Sequence, residues 1–280
     1  MLLQPLVQLA VFWSILLPGV GTGEVDVQRN LAYGEACPLR LDLYRPADRT
    51  APCPVVVIVH GGLWIWGTNR DYRDLCFHLA RNGIACAPID FRHTPPGGFR
   101  DQVSDIKAAI RWVRSNAAAL DLDPGRIGLF GSSSGGHLAS LAGLAGDGEG
   151  LGDDPPGTSS RVQALFLLYG VYDLAPHQDQ FLIRAYAGEI PPSGDPDWCQ
   201  AFASATYVDG SEPPTLIMHG AEDRTVPPSQ AEALAASLRG KGIATELVLA
   251  EGLPHGFAKT MPWTRPMVCG VMYDFFHDQL

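Results

Sequence analysis

The chain has 280 residues, 46% hydrophobic and 18% charged, enough to bury a sizeable core, and a single α/β domain of this length is ordinary. Its 20 basic and 30 acidic side chains give a net charge of −10, and Lys and Arg form no cluster. That balance argues against phosphate-backbone binding, so no nucleic-acid partner is expected, and it favours neutral or cationic partners.

Residues 1–20 carry no charge, and 6–20 form a largely apolar run ending in Pro18-Gly19. Gly21 and Gly23 stand at −3 and −1 to a cleavage point before Glu24. Residues 1–23 are therefore expected to be a secretory signal peptide, although the usual positive start is missing. The run is short for a membrane span; an uncleaved anchor or an unusual N-terminal helix are the competing readings. A secreted or periplasmic protein with no stable membrane partner is expected, with residues 24–280 as its single domain.

Past residue 36, short apolar runs alternate with longer amphipathic ones. Residues 55–60, 84–89, 127–130, 164–169, 215–219 and 245–249 read as strands. They are nearly uninterrupted in apolar character, as strands of a parallel sheet covered on both faces are. Helices are expected over 72–82, 100–119, 134–145, 228–241 and 267–279. In the second of these, Val103, Ile106, Ile110 and Val113 share one face. The alternation predicts right-handed crossovers and a doubly wound, mostly parallel sheet flanked by helices. Residues 146–160, dense in Gly, Asp and Pro, read as a surface loop. Residues 171–214 read as an insertion between two strands, a small cap over the C-terminal edge of the sheet.

Gly131-Ser132-Ser133-Ser134-Gly135 follows an expected strand and opens an expected helix. A nucleophile presented at such a corner needs small residues two positions before and two after it, and only Ser133 has glycine at both. His60-Gly61-Gly62-Leu63-Trp64 also follows a strand. With Gly61 making the turn, the backbone N–H groups of Gly62 and Leu63, joined by that of Ser134, are candidates to hold a developing oxyanion. His60 reads as a residue that fixes this loop.

A serine nucleophile needs a base within hydrogen-bond reach and a carboxylate to orient it. Asp223 and His255 each follow an expected strand, at the sheet edge where open α/β proteins place their sites. The order Ser133, Asp223, His255 is the chain order used in this architecture. Glu222 is the fallback acid, Asp173 a weaker one, and His137 is expected to pack or to bond within its helix. The six cysteines form no C-x-x-C pair and lie at no metal-ligand spacing with histidine, so no metal or cofactor is implied. Their even number permits disulfides if the chain is exported, and Cys86 reads more simply as a small buried hydrophobe.

These motifs carry a resemblance. With Asp90-Phe91-Arg92, Gly136-His137, Tyr169-Gly170, His219-Gly220, Val226-Pro227 and Gly256-Phe257 added, residues 41–257 resemble the esterase/lipase group of α/β hydrolases related to hormone-sensitive lipase. More narrowly they are similar to small feruloyl- and acetyl-esterase-like members. The resemblance implies an α/β-hydrolase fold with a small cap, and a Ser-His-Asp triad that cleaves short-chain or aryl/acetyl esters of small molecules. Leu63 departs from the pattern, standing where many relatives carry a third glycine, so its side chain must point away from the oxyanion.

The fourth, variable position followed by Trp64 also resembles the H-G-G-x-W pattern of kynurenine formamidases, which makes an aryl formamidase with the same triad the alternative enzyme. A non-catalytic binding protein on a hydrolase scaffold is the alternative of another class. Such proteins usually lack a triad member, and none is missing here. Trp64, Trp66, Phe181, Tyr186, Trp198 and Phe202 are candidates for a substrate pocket, or for simple packing.

Overall fold

Eight strands, β1 Val25–Ala32, β2 Arg40–Pro46, β3 Cys53–Val59, β4 Ala85–Ile89, β5 Leu122–Ser132, β6 Ala164–Leu168, β7 Thr215–Gly220 and β8 Thr245–Ala250, form one sheet. The computed structural model describes residues 23–34, 39–94, 98–148, 151–152, 155–173 and 200–280. Residues 1–22 of the expected signal peptide, most of the expected cap and residues Phe181, Tyr186, Trp198, Cys37 and Cys199 lie outside these. Cys53, Cys76, Cys86 and Cys269 are free thiols. No helix of the described residues is long and apolar enough to cross a membrane.

The strand order is β1-β2-β4-β3-β5-β6-β7-β8. From β4 to β8 every pairing is parallel, while β1 and β2 add an antiparallel edge. Helices α1 Arg73–Arg81, α2 Phe99–Asn116, α3 Ser134–Leu144, α4 Ser229–Gly240, α5 Phe257–Thr260 and α6 Arg265–Gln279 complete the described framework. This is the doubly wound, mostly parallel sheet that the strand pattern predicts, in the α/β-hydrolase architecture that the resemblance implies.

Alternate residues of each central strand serve opposite faces. Val55, Val57 and Val59 of β3, with Leu129 of β5 and Leu165 and Leu167 of β6, pack under α2, α3 and α4. Val56, Ile58, Phe130, Phe166 and Leu168 pack instead with α1 and α6. Both faces are therefore dry, which explains why these strands read as continuous apolar runs. Truncating a side chain such as Leu129 to alanine is expected to cost about 2–5 kcal/mol.

Two differences from the sequence expectation concern the sheet. β1 and β2 were not anticipated, because polar residues interrupt them; Arg45 is buried against Asp26, and Asp42 accepts from the Asn30 N–H at 2.9 Å. β5 begins at Leu122, upstream of the expected start at 127 and through Pro124-Gly125.

The order reverses at β3, with β4 on one side and β5 on the other. The loops after β3 and β5 therefore lie side by side at the C-terminal edge, where such sheets open a crevice.

Candidate active site

Between β5 and α3 the chain turns at a single residue, Ser133, with φ 53° and ψ −125°. L-residues rarely adopt that conformation, and it persists only where the surroundings over-determine it. The glycines on either side show what does so. A Cβ on Gly131 would stand 2.2 Å from the carbonyl oxygen of Gly135, and one on Gly135 would stand 2.3 Å from that of His60.

Backbone bonds then carry the register across the strand ends. Ser133 N–H donates to Leu168 O at 2.9 Å, Tyr169 N–H to Met218 O at 2.7 Å, and Ala221 N–H to Ala250 O at 2.9 Å. Each loop that holds a site residue is thus tied to the next.

Ser133 Oγ lies 3.0 Å from His255 Nε2, and His255 Nδ1 lies 2.6 Å from Asp223 Oδ2. The ionised carboxylate accepts only, so Nδ1 carries the ring hydrogen and Nε2 is left to accept from the serine hydroxyl. Asp223 is fully buried at its side chain, whereas His255 is 21% exposed at the mouth. The second oxygen of Asp223 accepts from the N–H groups of Thr225 and Val226 at 2.9 and 2.8 Å. Burial acts to raise the pKa of this carboxyl. Hydrogen bonds from His219, His255 and the Val226 N–H outweigh it and hold the group well below the usual carboxylate range. The acid therefore stays charged beside the imidazole it orients, an arrangement able to activate a serine hydroxyl.

The loop after β3 packs directly on this corner. A Cβ on Gly61 would stand 2.7 Å from Ser132 O and 3.0 Å from Ser133 Cβ. Gly62 has φ 138°, and Leu63 and Trp64 follow at 55° and 63°. Among the described residues, the N–H groups of Gly62, Leu63 and Ser134 donate to no protein acceptor. Leu63 is 40% exposed, so its side chain reaches solvent rather than the core.

Trp64, by contrast, is buried at 2% exposure, with its indole N–H on His137 Nδ1 and its ring against Phe202. It supports the loop from within, and the reading of Trp64 as a pocket wall gives way to one of packing. His60 stacks on Phe91 at 4.4 Å, and burial lowers its pKa to about 4.

Asp90-Phe91-Arg92 braces the same loop. Asp90 accepts from Asn69 N–H at 2.7 Å, Phe91 faces His60, and Arg92 pairs with the buried Asp105 at 2.7 Å. Gln102 of α2 adds a bond from its amide to Trp64 O at 2.8 Å.

Ser133, Asp223 and His255 are thus brought together, and the loop of Gly61, Gly62 and Leu63 lies against them. Glu222 is exposed, and Asp173 is bonded through its backbone to Gln230, so neither occupies the place beside His255. His137 is fully buried with its Nε2 at 3.0 Å from Phe202 O, in keeping with a packing role, and Phe202 is itself buried.

Three participants were not identified from the sequence: Gln102, His219, and Tyr169, whose ring lies 5.2 Å from that of His255. Tyr169-Gly170 and His219-Gly220 stood among the matching motifs without a role. Gln102 offered only its place beside Val103 and Ile106 on a buried helix. Among the described residues, no group of three or more His, Cys, Asp and Glu side chains is placed to hold a metal ion.

With this geometry in hand, known proteins are informative. The BD-FAE family model matches residues 41–238. The chain is 32% identical over 241 residues to an Arabidopsis thaliana protein named "Probable isoprenylcysteine alpha-carbonyl methylesterase ICMEL1", covering 82% of this chain and 51% of that protein. It is 31% identical over 220 residues to "Probable carboxylic ester hydrolase LipM" of Mycobacterium tuberculosis, covering 75% of this chain and 51% of that protein. The chain spans about half the length of the curated relatives it matches.

Among solved structures, "Truncated form of carbohydrate esterase from gut microbiota" is similar with a TM-score of 0.78 at 27% identity, covering 94% of this chain and 98% of that one. The chain belongs to the BD-FAE family, within the esterase group of α/β hydrolases.

Proposed function

We propose that this protein hydrolyses carboxylic esters of small molecules by double displacement. Ser133 Oγ attacks the ester carbonyl while His255 Nε2 takes its proton, and Asp223 holds the imidazole. His255 returns the proton to the departing alcohol. Water, deprotonated by His255, then attacks the acyl carbonyl; the bond to Ser133 Oγ breaks, His255 gives that proton to Oγ, and the carboxylic acid leaves. The N–H groups of Gly62, Leu63 and Ser134 stabilise the oxyanion of both tetrahedral intermediates.

The observation that carries this reading is the pair of contacts at His255, 3.0 Å to Ser133 and 2.6 Å to Asp223. The unpaired N–H groups beside Ser133 support it, as do the names of the relatives. Short-chain acetyl or aryl esters are the substrates proposed, with the exposed Leu63 and Trp66 on the loop beside Ser133 offering apolar contact.

Ser133→Ala is expected to lose several orders of magnitude in rate on p-nitrophenyl acetate. A folded variant with near-normal turnover would overturn the assignment. Acetyl, butyryl, feruloyl and N-formyl aryl substrates in one panel test the ester reading against the aryl formamide alternative. Export rests on residues 1–23 alone, and N-terminal sequencing of the mature protein tests it.

A further inference from the structure

His219, at the end of β7, takes no part in the proton transfers above, and it is completely buried. Its Nε2 lies 3.0 Å from the carbonyl oxygen of Val226 and 3.2 Å from Oδ2 of Asp223. A carbonyl oxygen can only accept, so Nε2 carries a hydrogen bonded to Val226 O, and Oδ2 of Asp223 lies 3.2 Å from the same nitrogen. Among the described residues, Nδ1 of the same ring has no partner, so none of them is placed to receive a hydrogen on its other side. Oδ2 is also the oxygen that takes the Nδ1–H of His255 at 2.6 Å. Two imidazoles therefore meet one carboxylate oxygen, one lying beneath the site and the other at its mouth.

We infer that His219 is a positioning residue for the triad proposed above: its Nε2–H fixes the Asp223 carboxylate against the 223–226 turn and draws on the Oδ2 electron density that otherwise faces His255. Asp223 and Val226 are held by one ring, while the N–H groups of Thr225 and Val226 hold the other carboxylate oxygen. The carboxylate thus has a donor on each side besides His255, which leaves it little freedom to rotate away from the base. The inference rests on the triad reading.

The second consequence is electrostatic. A donor on Oδ2 lowers the negative charge that His255 feels, so removing it favours protonated His255. The acidic limb of the kcat/KM profile then moves to higher pH. Among the described residues, the titratable groups that face His255 and this oxygen, besides Asp223, are His219 and Tyr169. The latter is buried just past the end of β6, and Tyr72 donates to Ser132 Oγ. None of these side chains other than His219 is altered by the substitutions proposed.

The test compares His219→Leu, His219→Asn and His219→Gln in the full chain. Gln can place an amide N–H where Nε2–H stands, whereas Asn is too short and Leu has no donor. Leu and Asn are expected to lower kcat about tenfold with little change in KM, as misorientation of a catalytic group does. Their acidic limb is expected to move up by about half a pH unit, and Gln to restore it.

If the Leu variant does not fold, the Asn and Gln pair decides. A limb that stays in place in a folded Asn variant, or that moves equally in Asn and Gln, overturns the inference. Labelling of wild-type Ser133 by a fluorophosphonate separates the two readings. An unlabelled wild type overturns the triad and this inference with it, while a labelled wild type with an unmoved limb overturns only the role of His219.

Discussion

The indole N–H of Trp64 donates to Nδ1 of His137 at 3.3 Å, and the other nitrogen of that ring lies 3.0 Å from the carbonyl oxygen of Phe202. One nitrogen accepts and the other donates, so the ring is the neutral tautomer with its hydrogen on Nε2. Phe202 stacks on it at 3.8 Å. Three segments meet here: the loop after β3, the helix after Ser133 and the end of the 171–214 insertion.

Trp64→Phe keeps most of the apolar volume but leaves Nδ1 of His137 without a donor. A buried acceptor deprived of its partner costs about 1–3 kcal/mol. Urea unfolding at neutral pH should show that loss. A midpoint equal to that of the wild type would mean the bond contributes nothing.

Acid should destabilise the fold through two histidines. Burial lowers the pKa of His137 to about 3 and that of His60 to about 4, below the ordinary value of 6.5. The unfolded chain therefore binds more protons than the folded one between those values and 6.5. Stability is fully present above about 6.5 and falls as pH drops through the window, by up to about 1.4 kcal/mol per pH unit for each ring. Asp223, held ionised by its partners, adds a loss at lower pH, as the medium falls below the ordinary carboxylate range. Urea midpoints measured from pH 7 to pH 4 check this, and a flat series would contradict it.

The loop after β3 predicts opposite outcomes for two neighbours. A Cβ on Gly62 would stand 2.1 Å from Trp66 O, at a φ of 138°. Gly62→Ala must therefore displace the loop, and a shift of about 1 Å in a reacting geometry costs about a hundredfold in rate. Leu63→Gly should leave turnover within about threefold of the wild type, because φ 55° suits glycine and the proposed donor is the backbone N–H. Ester hydrolysis by the two purified variants decides between them.

Gln102→Leu removes two bonds of 2.8 Å, to Trp64 O and to Arg92 O. Trp64 O keeps the N–H of Thr94 at 3.1 Å, so the loss is partial there. A stability loss of about 1–2 kcal/mol is expected from the deprived carbonyls. With it should come a fall in kcat larger than any change in KM, because the bond steadies the loop beside Ser133. Thermal melts and steady-state kinetics on one preparation measure both.

The central strands are legible because a parallel sheet buried on two faces demands nearly unbroken apolar runs, as in Val55–Val59 and Ala164–Leu168. β1 and β2 are not, since Asp26, Asp42 and Arg45 look like surface residues until cross-strand partners neutralise them. β5 reads short because Pro124-Gly125 signals a break that the pairing of Cys53 with Leu122 overrides.

At the candidate site, Ser133, Asp223 and His255 stand out because the chemistry proposed for them needs particular residue types at strand ends. His219, Tyr169 and Gln102 do not, because each matters only for what it touches. A histidine four residues before an aspartate in sequence carries no sign that its Nε2 faces that aspartate's Oδ2. Trp64 shows the converse: its aromatic character suggested a pocket, but burial behind the loop gives it another task.

The serine and histidine that meet at 3.0 Å are 122 residues apart in the chain, and the histidine and aspartate 32. Backbone bonds from β5 to β6, β6 to β7 and β7 to β8 set those meetings. No contiguous fragment shorter than the span from the β3 loop to residue 255 can hold the arrangement, and partial sheets leave its members apart. Recovery of the proposed ester hydrolysis on refolding should therefore arrive with the last strand to dock. The proposed turnover would then be an end-point reporter of complete assembly, insensitive to any intermediate that has only its local helices in place.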